Sequence, residues 1–258
     1  MRIYLLYLIV VVFASCQTKV KMNDVISDNN MAATINIGSR IEFKKNSEIG
    51  KNDIITFKSP LTGKISCLRI VGFPGDKVEV TKGILYVNGE EYNLPKSSKM
   101  IYTVYAKNPS AFSTLQTKYE FKPYSENYGM VNITKRQFDE IKESSIVDSI
   151  YQLGFDSNYV YPQILKVSTS RGFNHFYFGP VVIPKVGDKI YRKDKMLISS
   201  FLNFGGDFTE VKEPYYFCIG DSFSDAMDSR VIGLIPQSQV LGTVVTINNT
   251  KVITAKAN

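Results

Sequence analysis

Short runs of alternating residues constrain this chain more than any other feature. β-Branched or aromatic residues recur at every second position in SRIEFKK, DIITFKS, ISCLRIVG, KVEVTKGILYVNGEEY, YYFCIG and VLGTVVTI. Gly, Pro or Asn-Gly separates these runs. A period of two with such turns is typical of half-buried strands joined by tight connections. The sequence therefore predicts a mainly β fold.

One segment, NITKRQFDEIKE, predicts a helix instead. Thr134 and Gln137 have the spacing of a capping box, in which each side chain bonds the backbone of the other. Phe138 and Ile141 then fall on one helical face.

The stretch around this helix differs from its flanks. Residues 92–172 are rich in Tyr and Ser and alternate less regularly than the rest of the chain. We therefore expect a discontinuous β core, residues 16–91 and 173–258, into which residues 92–172 are inserted as a cap domain that contains the short helix.

Length and charge limit the classes of partner. The chain has 258 residues, of which 44% are hydrophobic, enough to bury a full core in one or two domains. A net charge of +7 would suit an anionic partner, but the Lys and Arg residues are scattered and no nucleic-acid motif occurs. We expect no nucleic-acid partner; anionic lipid headgroups are the other partner that this charge favours.

The N-terminal stretch MRIYLLYLIVVVFASCQ has the pattern of an export signal. Its apolar run, residues 3–14, is shorter than the roughly 20 residues that span a bilayer but has the length of a secretory signal. FASC resembles a lipobox, with Phe13 where Leu is usual; an ordinary cleavage site after Ser15 is the alternative. We expect residues 1–15 to be a lipoprotein-type signal peptide and lipid on Cys16 to hold an exported envelope protein on a membrane.

The other two cysteines, Cys67 and Cys218, lie in apolar strand-like runs. Buried, small hydrophobic side chains are the default interpretation. A disulfide between them is compatible with export, but sequence does not fix the distance between their Cα atoms.

The loop GDSFSDAMDSRVIG concentrates acids in an otherwise basic chain. Asp221, Asp225 and Asp228 are oxygen ligands of the kind that calcium prefers, yet the spacing of an EF-hand loop is absent. His175 is the single histidine, and no Cys pair has ligand spacing. We interpret the loop as a turn whose acids cap backbone groups and pair with Arg230. No metal or cofactor is expected.

Four stretches, in order along the chain, resemble the signal peptidase I family. LRIVGFPGDKVEV with GILYVNGEEY is similar to the family's Lys-Arg, Pro-Gly-Asp and Asn-Gly segment. GDSFSDAMDSRVIG resembles its last motif, which begins Gly-Asp-Asn-Arg and ends Asp-Ser-Arg. NDIITF and FGPVVIPKVGDKI resemble two further segments, and order and spacing hold from about residue 27 to residue 247.

The resemblance implies a β-rich fold with an inserted cap and a serine endopeptidase that removes signal peptides with a Ser-Lys dyad at the membrane surface. It also implies that Asp228 and Arg230 form an ion pair behind the dyad. Residues that would shape the family's loops are kept: Met31, Arg69, Gly72, Pro74, Gly75, Asp76, Gly220, Asp221, Asp228, Ser229 and Arg230.

The groups that would perform the family's chemistry are replaced. NNMAATI aligns with the family's Ser-Met-x-Pro-Thr-Leu segment and puts Asn30 at the nucleophile position, while Leu68 stands at the position of the base lysine. Asp28 occupies an oxyanion-hole position and Ala226 the position of the Ser that orients the lysine. A carboxamide forms no alkoxide, leucine takes no proton, and a carboxylate repels a developing oxyanion.

These substitutions predict a non-catalytic homologue of signal peptidase I. It would bind extended peptides in the inherited groove, or envelope proteins on another surface, as a membrane-anchored chaperone or assembly factor. Asn30 would face that groove or lie exposed in a turn. Two alternatives stay open: an active peptidase with a displaced dyad, such as Ser27 and Lys64, and a structural component of an envelope complex.

Overall fold

The computed structural model describes residues 21–32, 34–45, 48–153, 174–192 and 206–252 of the chain. These residues are mainly in β-strands, which confirms the predicted fold class. The strands are β1 (Lys21–Val25), β2 (Arg40–Lys44), β3 (Ile54–Lys58), β4 (Ile65–Gly72), β5 (Lys77–Thr81), β6 (Ile84–Val87), β7 (Glu90–Glu91), β8 (Lys99–Ala106), β9 (Phe121–Pro123), β10 (Tyr128–Thr134), β11 (Val147–Gln152), β12 (Tyr177–Val182), β13 (Lys189–Tyr191), β14 (Phe208–Glu210), β15 (Tyr215–Ile219), β16 (Ile235–Pro236), β17 (Val240–Ile247) and β18 (Thr250–Lys251).

The largest sheet is antiparallel and has the strand order β1-β2-β17-β3-β4-β15-β16, with β18 beside β17. Its inner strands β3, β4 and β15 are buried on both faces, because other sheets and loops cover them. All six alternating runs of the sequence form strands. β15 pairs with β4 only at Arg69, Ile70 and Gly72, so the first residues of β4 extend beyond it.

Two smaller sheets complete the core, β12-β5-β6-β7 and β13-β14. Side chains of the first of them pack with those of β3, β4 and β15 in the main hydrophobic cluster, which includes Leu68, Val80 and Phe217. A second cluster, around Met31 and Ile41, is formed by the residues that follow β1 and by β2, β3, β4 and β17.

A four-stranded antiparallel sheet, β11-β8-β10-β9, has a hydrophobic cluster of its own. Helices α1 (Pro109–Lys118) and α2 (Lys135–Lys142) cover one face of this sheet. We call this unit, residues 99–152, the cap. Residues 154–173 lie outside the described residues, so the predicted cap boundaries stay a prediction.

The helix expected from the sequence is confirmed as α2, and both halves of its capping box are formed. Helix α1 was not predicted. Asn108 caps it and Pro109 begins it, but its Ser and Thr residues weaken the helical pattern, and burial of Phe112 and Leu115 stabilises it instead. A third helix, α3 (Ser229–Ile232), is a single turn.

Among the described residues, no helix is both long and apolar enough to cross a membrane. The expected signal peptide and Cys16 lie outside the described residues.

Replacing Thr134 with Ala is expected to lower the free energy of unfolding by about 1 kcal/mol, because the backbone N–H of Gln137 loses its cap. Urea unfolding followed by circular dichroism measures the change. Thr117→Ala, at an exposed position inside α1, is the control and is expected to leave stability unchanged or slightly higher. Equal losses in both variants would contradict a capping role.

Candidate active site

Asn30 lies in the turn after β1, and its side chain is bonded at both ends. Nδ2 donates to Ser66 Oγ in β4 at 3.1 Å, and Oδ1 accepts from the backbone N–H of Met227 at 2.8 Å. Only 9% of Asn30 is exposed. Its carboxamide therefore fastens the turn to β4 and to residues 220–233, which we call the site loop. The expectation that Asn30 faces a groove or lies exposed in a turn is wrong.

Leu68 and Ala226 are both buried. Leu68 follows Ser66 by two residues, so strand periodicity puts both side chains on one face of β4, and Leu68 packs in the main core cluster. Ala226 lies against Gly220, where an added Cβ would be 2.3 Å from both the Ala226 Cβ and the Asn30 backbone oxygen. The fold thus brings the Asn30 turn and Ala226 together, and Leu68 is part of the core.

Asp28 is half-buried, and its Oδ1 accepts from the backbone N–H of Asn30 at 3.1 Å. A backbone N–H beside a nucleophile is the type of donor that stabilises a developing oxyanion. Here that donor already bonds a carboxylate.

Asp221 joins β4 to the site loop through a bidentate ion pair. Arg69 Nε and Nη2 donate to its two carboxylate oxygens at 2.9 and 2.7 Å, and Arg69 Nη1 donates to the Asn52 backbone oxygen at 2.9 Å. Thr34 Oγ1 also donates to Asp221, at 2.5 Å, and the Asp221 N–H points at Met31 Sδ at 3.4 Å. Two N–H···O bonds in one plane fix the orientation of both side chains.

The ion pair between Asp228 and Arg230 is present and completely buried. Arg230 Nε and Nη2 donate to the two Asp228 oxygens at 2.9 and 2.5 Å. The guanidinium also donates to the backbone oxygens of His175 and Phe223, at 3.0 and 2.6 Å. Because these bonds satisfy the guanidinium, the pair can exist without water.

Other residues of the resembling motifs shape the backbone around the site. Asp228 Oδ2 accepts from the Gly220 N–H at 3.1 Å, and Ser229 Oγ accepts from the Cys218 N–H at 2.9 Å. Asp225 accepts from Ser222 Oγ at 2.6 Å. Asp221, Asp225 and Asp228, the acids of the site loop, thus each bond donors of the protein.

The turn between β4 and β5 contains Gly72, Pro74, Gly75 and Asp76. Asp76 Oδ2 accepts from the backbone N–H of Phe73 at 2.8 Å and closes the turn. Gly75 has a φ of +95°, which other residues rarely adopt, and a Cβ at Gly72 would lie 2.6 Å from a core isoleucine. These contacts fix the shape of the turn.

His175 is buried behind the site loop. Its Nε2 lies 3.1 Å from the Ala226 backbone oxygen, and since a carbonyl only accepts, Nε2 carries the proton. Burial and, to a smaller extent, the neighbouring Arg230 charge together lower the pKa of His175 to about 4, although Asp228 opposes the shift. No pattern in the sequence indicates this contact, because a single His between aromatic residues has no spacing signal.

Backbone and side-chain hydrogen bonds join the cap to the site loop. The Lys99 N–H donates to the Asp221 oxygen at 2.8 Å, and the Phe223 N–H donates to the Lys99 oxygen at 3.0 Å. Asn132 Nδ2 donates to Ser222 Oγ at 3.0 Å. The cap sheet and the site loop are therefore one hydrogen-bonded unit.

A groove of about 570 Å³ lies where the cap meets the site loop, and we call it the cap groove. Asn30, Leu68 and Ala226 do not line it. Its lining includes residues of the turn after β1, the cap and the site loop: Asn29, Ala32, Lys99, Asn132, Ser222 and Asp225.

The remaining candidates are not at this site. Cys67 and Cys218 are buried and free, without a disulfide, and burial raises the pKa of both thiols well above the usual value. Ser27 and Lys64 are both exposed, and Lys64 lies in the turn before β4. Lys64 lacks the burial that makes a lysine a general base near neutral pH.

Asn30→Ala is expected to lower the free energy of unfolding by about 2 kcal/mol, because the Met227 N–H and the Ser66 hydroxyl lose their partner. Asn29→Ala, at the exposed neighbouring position, is the control, with an expected change below about 0.5 kcal/mol. Urea unfolding of both variants measures the two changes in stability. An equally small loss of stability in Asn30→Ala would show that the carboxamide does not hold the turn.

His175 is expected to make stability depend on pH between about 6.5 and 4. The unfolded chain binds the imidazole proton below pH 6.5, whereas the folded chain binds it only near pH 4. Stability is therefore full above pH 6.5 and falls by about 3 kcal/mol as the pH drops through this window.

The difference in unfolding free energy between the wild type and His175→Gln, measured from pH 7 to pH 4.5, isolates this contribution. The single imidazole resonance is expected to titrate near pH 4 in the folded protein. A midpoint near pH 6.5 would contradict burial of the ring.

Residues 1–248 match the family described as signal peptidase, peptidase S26. A signal peptidase I from Enterococcus faecalis V583 is a similar solved structure; it is 16% identical, with 76% of this chain and 97% of that chain covered and a TM-score of 0.32. No curated protein matches the chain. The chain belongs to the signal peptidase family, peptidase S26.

Proposed function

We propose that this family member binds extended segments of exported proteins without cleaving them, as a chaperone or assembly factor of the cell envelope. Lipid on Cys16 would hold it on a membrane with its globular part outside the cytoplasm. The N-terminal sequence supports the membrane anchor, and the residues of the candidate active site support the absence of cleavage.

The observation that carries the proposal is the hydrogen bonding of the Asn30 side chain. Its carboxamide bonds Ser66 and Met227, so the nucleophile position serves as a structural link between β4 and the site loop. A side chain used in this way, and unable to become an alkoxide, supports a role without a covalent step.

The positions around Asn30 support the same conclusion. Leu68 is completely buried and cannot accept a proton, and Ala226 has no hydroxyl that would orient a base. The N–H of Asn30 bonds Asp28. In serine proteases, loss of nucleophile and base lowers kcat on the order of a million-fold.

Binding would use a surface next to Asn30 that does not include Asn30, Leu68 or Ala226. The cap groove lies beside Asn29 and Ala32, one to two residues from Asn30, and it presents lysine, asparagine and serine side chains. Amide and hydroxyl groups of this kind can bond the backbone of an extended segment, which presents both donors and acceptors.

The test incubates the full chain, in detergent, with a secretory precursor that carries its signal peptide. An active signal peptidase I serves as the positive control. We expect no cleavage product from this chain. We also expect a fluorescently labelled, reduced and carboxymethylated secretory protein, which stays unfolded, to bind with a rise in anisotropy.

Cleavage would contradict the proposal. If Ser27→Ala or Lys64→Ala then abolished it, the displaced dyad would be the mechanism. Absence of both cleavage and binding would also contradict the proposal, and would favour a structural component of an envelope complex.

A further inference from the structure

The two faces of the cap sheet differ. Alternate residues of β8 and β10, such as Val104 and Val131, are buried under α1 and α2. No described element covers the opposite face, which carries Tyr105 of β8, Tyr128 of β10 and Tyr151 of β11. Uncovered faces of antiparallel sheets are usually polar, so an aromatic one marks an interaction surface.

Four tyrosines form a row across this face. Tyr105 and Tyr128 are stacked at a centroid distance of 4.7 Å, and Tyr124 stacks beyond Tyr128 at 6.2 Å. Tyr151 meets Tyr105 edge to face at 6.3 Å. Tyr124 and Tyr151, at the two ends, are 50% and 59% exposed. We call this row the tyrosine row.

The orientation of the rings favours one class of ligand. The planes of Tyr105, Tyr128 and Tyr124 are within 16° of parallel, so their faces are turned toward one another. A flat base or sugar ring needs a free aromatic face to stack on. Rings that are stacked on one another instead present their edges and hydroxyl groups to a ligand. Ring edges suit apolar side chains, and hydroxyl groups suit backbone carbonyls.

The tyrosine row is continuous with the cap groove. Along β8, Tyr105, Thr103, Ile101 and Lys99 alternate on the uncovered face, and both Ile101 and Lys99 line the groove. Neighbouring strands are about 4.8 Å apart, so the four strands measure roughly 14 Å across. An extended segment of four or five residues crosses that width.

Charges at the groove favour acidic groups in the occupant. Lys99 and Lys122 line it and form no salt bridge with any described carboxylate, whereas Lys118 pairs with Glu140 at 3.2 Å. The groove also contains two acids, Glu120 and Asp225, of which Asp225 already accepts from Ser222 Oγ. Lys122 Nζ lies over the Tyr124 ring, 5.7 Å from its centroid, but no described carboxylate pairs with Lys99 or Lys122. Both ammonium groups therefore complement carboxylates of a partner.

We propose that the tyrosine row and the cap groove together dock an extended polypeptide segment in which aromatic or apolar side chains alternate with acidic ones. This inference rests on the proposed function and gives the bound segment its place and its chemistry. The segment lies across the cap, with its acidic side chains toward Lys99 and Lys122.

The experiment uses the full chain in detergent and a fluorescein-labelled peptide of sequence SEFEFEFEFEFS, in which Phe and Glu alternate. Tyr124→Ser combined with Tyr151→Ser is expected to weaken peptide binding at least tenfold, because exposed tyrosines are typical hot spots. Tyr191→Ser is the matched control: Tyr191 is 49% exposed, packs on Phe208 and lies on β13, away from the cap. Its affinity is expected to equal that of the wild type.

Charge is tested in the same assay. Lys122→Glu is expected to weaken binding several-fold and to reduce its dependence on salt, whereas Lys77→Glu, exposed on β5, is expected to change neither. A peptide with Lys in place of every Glu is expected to bind more weakly. Circular dichroism and urea midpoints establish that all variants are folded.

Several results would overturn the inference. The inference fails if the acidic peptide does not bind, or if the peptide with Lys in place of Glu binds as tightly as the acidic one. It also fails if the double tyrosine variant binds the acidic peptide with the same affinity as the wild type. The inference would also fail if the wild type bound a twelve-residue oligothymidine or anionic vesicles more tightly than the acidic peptide and the same variants lost that binding.

The unfolded protein of the preceding section separates the two proposals. If it binds the wild type and the double tyrosine variant equally, the docking site is wrong and the proposed function stands. If it binds neither, the proposed function itself fails.

Discussion

The buried ion pair of Asp228 and Arg230 is the interaction on which the site loop depends. Removing two charges from water is costly, and the pair compensates only because Arg230 also donates to backbone oxygens of His175 and Phe223. Asp228 in turn holds the Gly220 N–H. Each contact fixes a different segment, so the pair holds the loop at several points.

Side chains of the turn and of β4 complete this framework. The site loop meets the turn of Asn30 so closely at Gly220 that a Cβ there would collide with the Asn30 backbone oxygen. The Asn30 carboxamide bonds β4 at Ser66 and the site loop at Met227, and Leu68 packs in the main core cluster. A bonded carboxamide and an apolar side chain avoid the cost of burying an unpaired charge, so both residues suit the stability of the folded chain.

The cap connects this framework to a surface that could bind. Lys99 pairs with the site loop through its backbone, and β8 then carries Tyr105 onto the uncovered face. Because one strand spans both regions, a segment docked on the cap as proposed would lie beside the turn that contains Asn30.

The sequence by itself determined the strands of its six alternating runs, helix α2 and the resemblance to the family. Alternation and capping are local patterns, and the motifs have a fixed order along the chain. Only the tertiary structure decided that Asn30 bonds Ser66 and Met227, that α1 forms, and that three tyrosines on different strands and a fourth just after β9 make one row. Those facts depend on which strands become neighbours, and contacts between residues far apart in sequence have no local signal.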